Sequence, residues 1–85
     1  MERQEYYFVF ETYQESKNIS TNCIDITFIN RGTLAVKINN YTLRVGETIG
    51  FTGNFGEIIK KPINLIMSAP IGENQVDVIK RVYTS

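Results

Sequence analysis

Residues 29–47 read INRGTLAVKINNYTLRVGE, and the reading of the two asparagine-bearing breaks in this stretch decides the fold. If Asn39-Asn40 is a two-residue turn, Ile38 faces Tyr41, Val36 faces Leu43 and Leu34 faces Val45. All six are apolar and share one face. A slip of one residue would put Lys37 and Arg44 there instead, so pattern and turn specify the same register. Asparagine at both central positions suits the positive backbone angles of such a turn. The earlier break reads as a three-residue loop, Asn30-Arg31-Gly32, with Gly32 in the left-handed position that makes a bulge. Phe28 then opposes Leu34, Ile26 opposes Val36 and Ile24 opposes Ile38, while Asp25 meets Lys37 on the other face. Residues 23–45 are therefore expected to form a three-stranded antiparallel meander with nine apolar side chains on one face.

Working outward, that apolar face needs a cover. The remaining strand-like runs are Tyr6 to Tyr13, Glu47 to Thr52, Ile63 to Ala69 and Val76 to Tyr83. They are separated by turn signals at Val45-Gly46-Glu47, Gly53-Asn54-Phe55-Gly56, Lys61-Pro62 and Ala69 to Asn74. Glu57 to Lys61 has good helix formers, but Pro62 ends it after about one turn. The polar segment Gln14 to Asn22 reads as an exposed loop. The fold class expected is all-β: a small antiparallel β-sandwich, or a partly open barrel, of about six to eight short strands. Its 85 residues fit a single domain spanning 1–85.

Composition narrows function mostly by exclusion. Nine basic residues balance nine acidic ones, so no overall field draws the chain to nucleic acid or to an anionic membrane. The run Tyr6 to Phe10 is far too short for a membrane span or a signal-peptide core. A cytoplasmic or intravirion setting follows as the expectation. There is no histidine, which removes Ser-His and Cys-His nucleophile pairs and the usual neutral-pH base. Cys23 is the single cysteine and reads as a buried small hydrophobe. Glu47, Glu57, Glu73 and Asp77 are scattered without the spacing of a catalytic pair, and Gly50 to Gly56 lacks the G-K-[ST] ending of a phosphate loop. No enzyme, cofactor or metal site is expected. The triplets Asn18-Ile19-Ser20 and Asn40-Tyr41-Thr42 match a glycosylation acceptor, and the hairpin already gives Asn40 a structural task.

The first strand carries the candidate site. Tyr6, Phe8 and Phe10 fall on one of its faces, and Tyr7, Val9 and Tyr13 on the other. Aromatics at period two ordinarily belong to a core, so Tyr6, Phe8 and Phe10 are assigned inward and Tyr7, Val9 and Tyr13 outward, as a surface for a partner. Ile29 and Phe55 are added to that partner-binding set. The alternative use of Tyr6, Phe8 and Phe10 is to stack bases, with Lys60-Lys61 and Lys80-Arg81 at phosphates.

The pattern FINRGTLAVKINNYTLRVGETIGF, residues 28–51, resembles a β-sandwich theme of strand, N-x-G turn, strand, tight turn and strand. It is similar to small all-β structural proteins of tailed bacteriophages: capsid decoration, head-fibre or tail components. The resemblance covers about a quarter of the chain and carries no catalytic residues. It implies a noncatalytic virion protein, assembled in the host cytoplasm, whose partners are copies of itself or a larger capsid or tail protein. A single-stranded nucleic-acid-binding or carbohydrate-binding β-module is the alternative.

Overall fold

A computed structural model describes residues 5–53, 57–67 and 73–84. The expected turns through 54–56 and 68–72, and the candidate residue Phe55, lie outside the described residues. Among the described residues there are eight strands: β1 (Tyr6–Tyr13), β2 (Lys17–Ile19), β3 (Asp25–Asn30), β4 (Val36–Ile38), β5 (Tyr41–Leu43), β6 (Thr48–Thr52), β7 (Ile63–Ile66) and β8 (Val76–Tyr83). They form two antiparallel four-stranded sheets, ordered β1-β8-β3-β6 and β2-β7-β4-β5. The architecture is all-β and is not closed into a barrel.

The core lies between the sheets. β3 and β8 contribute Ile26, Phe28, Val76 and Val78 from one side; β2, β4, β5 and β7 contribute Ile19, Val36, Ile38, Leu43, Ile63 and Leu65 from the other. Each set alternates with outward residues, as the pleat requires. Phe51 of β6 closes one flank, its ring 6.2 Å from that of Phe28 and nearly perpendicular to it. Cys23 is buried beside these residues.

The second asparagine break folds as the pattern requires. β4 and β5 pair Val36 with Leu43 and Ile38 with Tyr41. Only the first turn residue takes a positive φ, Asn39 at 54°, and its side-chain oxygen accepts a hydrogen bond from the Asn64 amide of β7 at 2.9 Å. The turn is thereby tied to the neighbouring strand as well as to its own hairpin.

The first break does not make a hairpin, and the three-stranded meander is corrected. β3 pairs with β6 and β8, whereas β4 pairs with β5 and β7 in the other sheet. Asn30 is fully buried at the crossing. Its Nδ2 donates to the carbonyls of Leu34 (2.9 Å) and Leu43 (3.1 Å), and its Oδ1 accepts from Gly32 N–H (3.0 Å). The main chain beyond it pairs with the approach to β8: Arg31 N–H donates to Gln75 and Thr33 N–H to Glu73. Gly32 is needed for close approach, not for a left-handed turn. A Cβ there would sit 2.6 Å from the Gln75 nitrogen and 2.8 Å from the Glu73 oxygen. Leu34, expected inside, is exposed, as are Tyr41 and Val45.

β2 arises inside the segment read as a loop. Lys17–Ile19 pairs with Ile63 to Leu65, and of its three residues only Ile19 is buried. Tertiary pairing makes this strand where local composition favours a turn.

Candidate interaction surface on the first sheet

Among the described residues β1 is an edge strand paired with β8 alone, in the register Tyr6↔Tyr83, Phe8↔Arg81, Phe10↔Ile79, Thr12↔Asp77. Directly opposed residues share a face. Because Val76 and Val78 of β8 are in the core, their partners Tyr13 and Glu11 point inward, and so do Val9 and Tyr7. The orientation expected for β1 is therefore inverted. Tyr13 packs against the core, Val9 is half-buried, and Tyr7 stays exposed near the strand's beginning. The outward set is Tyr6, Phe8 and Phe10, exposed by 49%, 54% and 72%.

The inversion has a physical cause. On the inward face of β1 sits Glu11, whose charge would ordinarily mark that face as outer. Lys80 of β8, opposite Val9, brings its Nζ to 2.8 Å from Glu11 Oε1, with the lysine side chain only 10% exposed. The pair neutralises both charges at the end of the sandwich, so the face can be closed. Tyr13 senses the same carboxylate. Burial raises its hydroxyl above the ordinary range, and the Glu11 charge and hydrogen bond add to the effect.

The outer face of this sheet is an aromatic stripe beside an apolar patch. Tyr6 and Phe8 meet edge to face with centroids 5.7 Å apart, and Phe8 and Phe10 are 6.4 Å apart at 38°. Beside them lie Ile79 of β8 and Ile29 of β3, which oppose Phe10 and Asp77 respectively. A groove of about 270 Å³ is lined by Phe10, Ile29 and Ile79 together with Arg31 and Asp77. The structure thus brings Ile29 into the candidate surface but places Tyr7, Val9 and Tyr13 on the opposite side of β1.

Charges on this face are paired. Arg81 lies 5.0 Å above the Tyr6 ring and 2.5 Å from Asp25, while Asp25 also accepts from the Thr52 hydroxyl. Arg31 Nε donates to Asp77 at 2.7 Å, and Thr12 donates to the same carboxylate at 2.9 Å. Burial works to raise the Asp77 carboxyl, but the hydrogen bonds from Thr12, Arg31 and Gln75 and the Arg31 charge outweigh it and hold the group below its ordinary range.

The other groups with chemical potential lie elsewhere. Burial pushes the Cys23 thiol up, Lys80 pulls it down and Asp25 raises it, with burial winning; that is the wrong direction for a thiolate nucleophile. Among the described residues no group of three or more His, Cys, Asp or Glu could hold a metal ion.

The signal that would have oriented β1 was Lys80, the only basic residue on the Val76-Val78 face of β8 and the one that allows Glu11 to turn inward. Searches of protein-family models, curated proteins and solved structures all return no match for this chain.

Proposed function

We propose that this protein is a noncatalytic assembly module that binds another protein through the outer face of its first sheet. The observation that carries the reading is the exposure of Tyr6, Phe8 and Phe10 as one stripe on an edge strand. Folding does not require it, because the core is built from the other face. Large exposed aromatics next to Ile79 and Ile29 form the apolar centre of an interface, and the Arg81-Asp25 and Arg31-Asp77 pairs form its polar rim. A phage virion component is the narrowest form of this reading. It rests on the resemblance of residues 28–51 alone, and one of the two turns in that resemblance is a crossover between sheets.

One observation favours a second reading. Exposed aromatics on a sheet face with a guanidinium above one ring are also what stacks bases or sugars. Against nucleic acid, Arg31 and Arg81 of this face each have a carboxylate partner, so among the described residues this face offers no free positive track for a phosphate backbone.

The test is molar mass by light scattering from micromolar to submillimolar protein, alone and with any candidate partner, for wild type and for Phe8→Ser/Phe10→Ser. Loss of association in the double variant with an unchanged melting temperature supports the assembly reading. Association untouched by the double variant overturns it. In parallel, binding of a single-stranded oligonucleotide that weakens steeply with salt would support the second reading instead.

A further inference from the structure

Resting on the assembly reading above, we infer that the partner is a second copy of this chain, joined edge to edge through antiparallel β1 strands into one continuous eight-stranded sheet. β1 is long for an edge strand, eight residues against three for β2 and β5 and five for β6. It lacks the usual protections against strand pairing: no proline, lysine or arginine lies in it. Its single charge, Glu11, faces inward and is already neutralised by Lys80 of its own copy.

The backbone specifies a register. Thr84 N–H donates to the Glu5 carbonyl at 2.9 Å, which continues the β1-β8 ladder by one pair beyond Tyr6↔Tyr83. Alternate residues 7, 9, 11 and 13 therefore also aim their N–H and C=O groups at β8, and Tyr6, Phe8, Phe10 and Thr12 aim theirs outward. A two-fold pairing that uses all four of these residues has opposed numbers summing to 18: Tyr6 with Thr12 of the second copy, Phe8 with Phe10, and Val9 with Val9 on the dyad. Sums of 16 or 20 set Thr12 or Tyr6 opposite a position outside β1, and odd sums set outward-pointing groups against inward-pointing ones.

The side chains agree with that register. Phe8 meets Phe10 of the second copy twice, so the rings of both stripes become neighbours along one outer face. On the inner face Glu11 meets Tyr7, and no charge meets a like charge. At roughly 200 Å² per aromatic side chain, the three exposed rings leave about 350 Å² per copy. Two copies therefore offer at most about 700 Å² from the rings, to which the paired backbone edges add, the size of a weak, concentration-dependent contact.

Register is tested by cysteine cross-linking in a Cys23→Ala background, which removes the native thiol. Across a non-hydrogen-bonded antiparallel pair the Cβ atoms approach closely enough for a disulfide. Val9→Cys should form a covalent dimer under mild oxidation, whereas Tyr7→Cys, whose counterpart across the dyad is Glu11, should yield at least tenfold less. Equal yields, or none from Val9→Cys, overturn the register. A second measurement uses the wild-type chain: amide exchange at Tyr6, Phe8, Phe10 and Thr12 should slow as protein concentration rises. Exchange independent of concentration overturns the inference. If light scattering shows association while both measurements are negative, edge pairing falls and the outer-face reading stands; if association ignores Phe8→Ser/Phe10→Ser, that reading falls as well.

Discussion

The two sheets close on one core but turn different outer faces to solvent. The second sheet shows Asn18, Lys37, Thr42, Asn64 and Ile66 outward, a mostly polar set on strands of three or four residues. The first shows Tyr6, Phe8, Phe10, Ile29 and Ile79, carried by longer strands, with its charges already paired. A sandwich needs only its inner faces to be apolar, so the second sheet looks as folding alone would leave it. The apolar outer face of the first sheet is a surplus that folding does not explain, and the proposed assembly rests on that surplus.

The largest contrast expected is between the two faces of this sheet. Phe28→Ala empties a fully buried site and should cost about 3–5 kcal/mol, enough to unfold much of a small domain. Phe8→Ala, on the outer face, should stay within about 0.5 kcal/mol. Urea unfolding of both variants measures the difference, and similar losses would mean that the stripe is part of the fold's own support.

Next comes the contrast between the two asparagine breaks. Asn30→Ala removes an amide whose three hydrogen bonds join the crossover, leaving two carbonyls short of a donor, and should cost about 2 kcal/mol. Asn40→Ala, in an exposed turn, should cost less than about 0.5 kcal/mol. Thermal melts suffice to rank them.

Smaller still is the inward ion pair of β1. Glu11→Gln strands the Lys80 ammonium, and because Glu11 is one-third exposed the loss should be about 1–2 kcal/mol, below that of a fully buried pair. Adding Lys80→Met should recover most of it. A double variant less stable than Glu11→Gln alone would show that the pair does more than neutralise itself.

The smallest effect is a pH dependence. The Asp77 carboxyl is held below its ordinary range in the folded state, so its ionised form favours folding. That contribution is complete above about pH 4, the unfolded value, and fades as the pH falls through the lower folded value. Asp77→Asn should flatten the acid limb of a stability-pH curve; an unchanged limb would assign acid sensitivity to other carboxylates.

The all-β class, the strands Tyr6–Tyr13 and Val76–Tyr83 and the Asn39-Asn40 hairpin were legible in the sequence because each has a local cause: alternation, a turn pair and a register that a slip would ruin. The β3-β4 crossing was not. Ile26, Phe28, Val36 and Ile38 alternate identically whether the two strands lie side by side or face each other across a core, and only the buried Asn30 and the close approach at Gly32 choose between them. β2 was invisible because its pairing partner, β7, lies more than forty residues on. The orientation of β1 hung on a single distant lysine, so the expectation set Tyr7, Val9 and Tyr13 outward where the structure turns them inward.

Hydroxyl-radical footprinting of the unmodified protein compares exposed side chains of the two sheets within one sample. Tyr6, Phe8 and Phe10 on the first sheet and Tyr41 and Ile66 on the second start from similar exposure, near one half for all but the more open Phe10. As concentration is raised, oxidation of Tyr6, Phe8 and Phe10 should fall while Tyr41 and Ile66 stay constant. Unchanged oxidation of the stripe, or protection of the second sheet instead, would mean that the first sheet's outer face is not where this protein assembles.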